Sequence, residues 1–247
     1  MVRATFAILG LMAAILAGCA ASTSGSASEI PRGSPASDQS DPVMSPQTQL
    51  RYVALGDSYT IGTSVSVDAR WPNQLAAALA GGSMVLDLTA NLGVNGFTSR
   101  DVIDVELPQL ASLRPDFITL LIGVNDVVQG VPAETYRANI VRILDDLVAR
   151  VGAGRVLVVT TPDYTVTPSG ADYGNPVQQA AGIRENNTIL TTLATARGIA
   201  VVDIHDISLG AGSDRSLVAD DGLHPSGAQY ALWVARIEPV AAGLIGP

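Results

Sequence analysis

The chain has 247 residues and a net charge of −9 at pH 7, and all of its 14 basic residues are arginines. No basic stripe is present to displace counterions from a phosphate backbone, which argues against nucleic acid as a partner. A single cysteine, Cys19, excludes an internal disulfide and a cysteine-based metal or redox centre; with only His205 and His224 a histidine-rich metal site is excluded too, and any histidine base is one of these two.

In chain order, residues 1–18 read as an export signal: Arg3 is the positive head and Ala4 to Leu16 an apolar run too short to span a bilayer comfortably. The run ends in Leu16-Ala17-Gly18-Cys19, which resembles the bacterial lipobox, in which cleavage precedes a cysteine that receives lipid; an ordinary signal peptide with a chance cysteine is the alternative. Residues 19–49 hold that cysteine and then a stretch dominated by Ser, Thr, Pro, Gly, Ala and Asp, with too little apolar bulk to pack, the composition of a flexible tether. The two features agree with each other. They predict a globular domain, residues 50–247, exported and lipid-anchored at the outer face of a membrane of a bacterial cell envelope, and expected to be a monomer.

Within that domain, apolar runs at 52–55, 84–88, 117–122, 156–160 and 199–204 lack period-two alternation, as expected for strands buried on both faces. Helical stretches alternate with them. Trp71 to Ala80 has Pro72 in its first turn, and Ser99 to Leu113 is bent or split by Pro108. Pro132 starts a helix with Tyr136, Ile140, Ile143, Leu144, Leu147 and Val151 on one face. Gln178 to Arg197 stops at Gly198, and Ser226 to Ile245 closes the chain. This alternation predicts an α/β fold with a parallel sheet between two helical layers. Two long loops, Thr161 to Pro176 and Asp206 to Gly222, leave the carboxyl ends of the fourth and fifth strands, the edge where open α/β sheets place their ligands.

Gly56-Asp57-Ser58-Tyr59 follows the first strand, so the Ser58 hydroxyl is expected at that same edge. A serine is a weak nucleophile without an adjacent base. Asp221-Gly222-Leu223-His224-Pro225 offers one: the carboxylate of Asp221, three residues back, is placed to orient one ring nitrogen of His224 and leave the other for Ser58. His205, flanked by Asp203 and Asp206, is the rival base and otherwise a structural histidine; Asp220 is the rival orienter. Asn91-Leu92-Gly93-Val94-Asn95-Gly96 and Gly123-Val124-Asn125-Asp126 end the second and third strands. A glycine N–H of the first block, the Asn125 amide of the second and the Ser58 backbone N–H are candidate oxyanion donors, a role worth about 10²–10³ in rate. Asp57 and Asp126 read as loop braces. Trp71 is either a pocket residue or a helix anchor, and Tyr164 and Tyr173 are candidate substrate contacts.

Four short blocks, Gly56-Asp57-Ser58, Asn91 to Gly96, Gly123 to Asp126 and Asp221 to His224, resemble in order those of the SGNH (GDSL-type) serine esterase and lipase superfamily. The resemblance implies a flavodoxin-like three-layer α/β/α fold with strand order 2-1-3-4-5, and a triad of Ser58, His224 and Asp221. It also implies oxyanion donors at Ser58, Gly96 (Gly93 as the fallback) and Asn125, with neither metal nor cofactor. The expected function is hydrolysis of carboxylic esters, with short acyl groups favoured because the loops carry no long apolar run. Lysophospholipase, thioesterase or acyltransferase chemistry on the same site, and a non-catalytic surface binding protein, are the alternatives.

Overall fold

The computed structural model describes residues 47–246. The expectations that fall on residues 1–46, the signal, the lipidated Cys19 and nearly all of the tether, lie outside the described residues. From Thr48 the chain enters β1 (Thr48–Gly56), whose Tyr52, Val53, Ala54 and Leu55 are completely buried. β1 pairs in parallel with β2 (Met84–Asn91) on one side and with β3 (Phe117–Leu121) on the other. β4 (Val156–Val159) and β5 (Ala200–Val202) extend the sheet, again in parallel, to the order β2-β1-β3-β4-β5. This is the order the resemblance implied.

Helices cover both faces: α1 (Ser58–Ile61), α2 (Trp71–Ala78), α3 (Ser99–Asp101), α4 (Leu110–Leu113), α5 (Val124–Val128), α6 (Ala133–Val151), α7 (Pro176–Thr195), α8 (His205–Leu209) and α9 (Gly227–Ile245). Successive strand residues point to opposite faces, and β1 shows it. Tyr52 and Ala54 enter a core shared with Trp71 and Leu75 of α2 and Tyr230, Trp233 and Ile237 of α9. Val53 and Leu55 enter a second core with Ile140, Ile143, Leu144 and Leu147 of α6.

One local expectation is corrected. β2 is an edge strand, so Asp87 is exposed and most of the strand only half-buried, not enclosed on both faces. The helical stretch from Ser99 to Leu113 is split, as Pro108 implied, into α3, a π-turn at Val102–Glu106, a 3₁₀ turn at Leu107–Gln109 and α4. Pro108 has no N–H to continue an α-helical ladder, and the wider turn before it swings Glu106 beneath the sheet edge. The long loops carry short helical turns: Tyr164–Val166 and Gly170–Tyr173 form 3₁₀ turns in the first, and α8 occupies the start of the second. Among the described residues no helix is long and apolar enough to cross a membrane.

Candidate active site

The nucleophile turn is built by a glycine and a carboxylate. Gly56 leaves β1 with φ +149°, and a Cβ on it would lie 2.1 Å from the carbonyl oxygen of Leu121 and 2.4 Å from Oγ1 of Thr60. Asp57 then caps α1, its Oδ1 accepting the Tyr59 N–H at 2.9 Å. Ser58 is therefore the first helical residue, where a backbone N–H has no intrahelical acceptor. Its side chain makes no hydrogen bond to any described residue, and the residue is 7% exposed.

Carboxyl groups underpin this turn. Oε2 of Glu106 accepts the Gly56 N–H at 3.0 Å, out of contact with water. Asp126 holds the neighbouring loop by accepting the N–H of Ser99 at 2.9 Å and its hydroxyl at 2.5 Å. Burial raises the pKa of Asp57 to about 7, and the charge of Asp126 adds to the effect. Burial likewise pushes Glu106 up to about 9, reinforced by Asp57 and Asp101 and opposed by the Gly56 N–H.

Across the cleft, the turn before α9 folds on Asp221. Its Oδ1 accepts the N–H groups of Leu223 and His224, each at 2.9 Å, and its Oδ2 lies 2.6 Å from Nδ1 of His224. The hydroxyl of Ser64 donates to the same Oδ2 at 2.7 Å. Burial works against the carboxylate form of Asp221, but these four donors outweigh it and hold the pKa down at about 2. With Nδ1 committed, Nε2 of His224 is the nitrogen left for a proton from the cleft. The imidazole packs on the buried ring of Tyr59, centroids 5.3 Å apart. No hydrogen bond joins Ser58 and His224; the two line the same cavity.

That cavity, about 260 Å³, is also lined by Gly96, Asn125, Val124, Val128, Leu223, Tyr164 and Tyr173. Gly96 turns its N–H to no described acceptor and has open space where a Cβ would stand. Gly93, the fallback donor, is placed elsewhere. Its N–H is spent on Oδ1 of Asn91 at 3.2 Å, and a Cβ on it would sit 2.7 Å from the Ile61 nitrogen, so its role is to let β2's exit pack against α1. Nδ2 of Asn125 donates to the Phe97 carbonyl at 3.0 Å and lies 3.5 Å from Oδ2 of Asp57.

The remaining candidates separate. Tyr164 is nearly buried, its hydroxyl donating to Gln179 at 2.9 Å, and Tyr173, 44% exposed, meets it edge-on at 5.9 Å. Trp71, left between pocket residue and helix anchor, is fully buried in the core with Leu75, Tyr230 and Trp233 and does not line the cleft, so the substrate-contact alternative falls and the helix-anchor one stands. His205 starts α8, its Nε2 3.7 Å from Oδ2 of Asp163, beside a different surface cavity with Thr160, Arg184 and Asp203. Asp220 is exposed. Ser64 and Glu106 escaped the sequence reading, since nothing in either segment signals that it meets a partner 157 or 50 residues away.

A hydroxyl, an imidazole oriented by a carboxylate and unspent N–H donors around one cavity are the parts that acyl transfer requires. Comparison with known proteins agrees. An arylesterase of Vibrio mimicus is 28% identical over 124 residues, 48% of this chain; the match spans only 59% of that relative's length. The crystal structure of a lipase/acylhydrolase from Enterococcus faecalis superposes with a TM-score of 0.62 at 21% identity, covering 80% of this chain and 98% of that one. A single-residue variant of an acetyl xylan esterase from Geobacillus stearothermophilus superposes with a TM-score of 0.60 at 17% identity, covering 81% and 96%. At these identities the two structures speak for the fold alone. The model of the GDSL-like lipase/acylhydrolase family matches residues 54–232, from the middle of β1 into α9, and takes in every block around the cavity: the chain belongs to that family.

Proposed function

We propose that this chain hydrolyses carboxylic esters through Ser58, His224 and Asp221. The observation that carries the reading is the shared cavity, in which Ser58 and His224 meet Gly96 and Asn125 while Asp221 holds the far side of the imidazole. Oγ of Ser58 attacks the acyl carbon and gives its proton to Nε2 of His224. The carbonyl oxygen, now an oxyanion, accepts hydrogen bonds from the N–H groups of Ser58 and Gly96 and from Nδ2 of Asn125, which gives up its long 3.5 Å contact with Asp57 and keeps Phe97. Collapse of this intermediate expels the alcohol, which takes the proton from His224 and leaves an acyl-serine. Water, deprotonated by the same imidazole, attacks the acyl-serine, and the carboxylic acid leaves as Ser58 recovers its proton.

Short acyl groups suit the site. A cleft of about 260 Å³, bordered by the Tyr164–Tyr173 pair and walled by Val124, Val128 and Leu223, has room for a small acyl group and part of the alcohol. The arylesterase relative supports small aryl esters as the substrate class, with acetylated glycans as the alternative. The lipobox-like Leu16 to Cys19 supports placing the enzyme on a membrane surface at the bacterial envelope, tethered through Cys19; Cys19→Ser releases it to the soluble fraction on this reading.

The test is hydrolysis of p-nitrophenyl acetate by the wild type and by Ser58→Ala. The variant keeps its fold and loses at least about 10³-fold in kcat; full retained activity would end this reading.

A further inference from the structure

Ser64 is one of two residues other than glycine, with Arg114, that hold a positive φ among the described residues; its value is +65°. A side chain in this region meets the following carbonyl, so glycine is the residue that adopts it freely, with asparagine and aspartate next. Serine at this position is unfavourable for the backbone and needs a reason. Its hydroxyl supplies one, by donating at 2.7 Å to Oδ2 of Asp221, the same oxygen that lies 2.6 Å from Nδ1 of His224.

The geometry points to Ser64 as a positioning residue for catalysis: its hydroxyl fixes the rotation of the Asp221 carboxylate, and through it the imidazole of His224, against the nucleophile helix. This rests on the triad reading above. Oδ1 of Asp221 is held by two backbone N–H groups of its own turn, whereas among the described residues Oδ2 has just the imidazole and Ser64 as partners. Ser64 stands two residues beyond Gly62, which closes α1 through a hydrogen bond to the Ser58 carbonyl at 3.0 Å. The Thr63 N–H reaches the same carbonyl at 3.1 Å, and the Thr63 hydroxyl donates to Asn95 at 2.6 Å, so the segment carrying Ser64 is anchored on the nucleophile side. The contact therefore fastens the turn that carries the base to the turn that carries the nucleophile, across 157 residues of sequence. Strain held at a site of this kind persists because the surrounding contacts enforce it.

Substitution separates the two properties of this residue. Ser64→Gly removes the hydroxyl and relieves the backbone, whereas Ser64→Thr keeps the hydroxyl and makes the backbone worse. With p-nitrophenyl acetate, Ser64→Gly loses about 10- to 100-fold in kcat, the scale of one hydrogen bond to a charged group, with KM within about threefold and a Tm no lower than that of the wild type. Ser64→Thr keeps kcat within about threefold of wild type at a lower Tm. Wild-type kcat in Ser64→Gly, or kcat values that simply follow Tm across the two variants, would overturn the inference. Ser58→Ala, run alongside, separates the failures: if it is inactive while Ser64→Gly is fully active, only the role of Ser64 falls, and if it is active the triad itself falls.

Discussion

The N–H of Gly56 and the Oε2 of Glu106 meet at 3.0 Å, out of water, directly below the turn that carries Ser58. The bond ties the last residue of β1 to the π-turn at Val102–Glu106, so the carboxyl group fixes the platform on which the nucleophile stands.

Burial raises the Glu106 pKa from 4.5 to about 9, which makes stability depend on pH. Between these values the folded protein holds a proton that the unfolded chain releases, so stability falls as pH rises, by about 1.4 kcal/mol per pH unit for one such group. Asp57, raised to about 7, acts in the same direction over the lower part of the range. Glu106→Gln cannot ionise. Denaturant unfolding at pH 5 and pH 8 should show a steeper loss in the wild type than in Glu106→Gln; equal slopes would refute the assignment.

Asp221→Asn keeps the size of the orienting side chain and replaces an acceptor by a donor opposite Nδ1 of His224. The imidazole then presents the wrong tautomer to Ser58, and kcat on p-nitrophenyl acetate falls by about 10²–10⁴ with KM little changed. Steady-state kinetics checks this, and an Asp220→Asn control stays within about threefold of wild type.

How much of this was legible without coordinates follows from the range of each interaction. The five apolar runs and the blocks around Ser58, Gly96, Asn125 and His224 are local signals, and the strands and the cavity lining follow them. The Asp221–His224 contact was readable for the same reason, because it closes within one turn. Burial of Trp71, the half-exposed edge strand β2 and the reach of Glu106 under Gly56 depend on which segments pack together, and periodicity does not carry that information. The strained φ of Ser64 was equally hidden, because serine is an ordinary residue in any loop.

Asn125→Ala removes a side-chain donor while leaving both backbone donors in place. Loss of one such donor costs about 10²–10³ in kcat. The expected KM change is under about threefold, because the interaction is made mainly with the developing oxyanion and not with the ground-state ester. A rise in KM at unchanged kcat would assign Asn125 to ground-state binding instead.

Tyr173 stands 44% exposed at the mouth of the cavity, edge-on to the better anchored Tyr164. The wild type should prefer p-nitrophenyl acetate and butyrate over octanoate by at least about tenfold in kcat/KM. Tyr173→Ala opens that wall and narrows the ratio several-fold, since each buried methylene is worth about 0.8 kcal/mol. An unchanged acyl-length profile would remove Tyr173 from the substrate contacts.

The central claim is that the Ser58 hydroxyl is a nucleophile activated by His224. Incubation with a fluorophosphonate probe, followed by mass spectrometry of the labelled peptides, tests it most directly. The account predicts one phosphonylated residue, Ser58, labelled rapidly in the wild type, at least about 10²-fold more slowly in His224→Ala, and not at all in Ser58→Ala. Labelling at another serine, or labelling of Ser58 at the same rate without the imidazole, would contradict it.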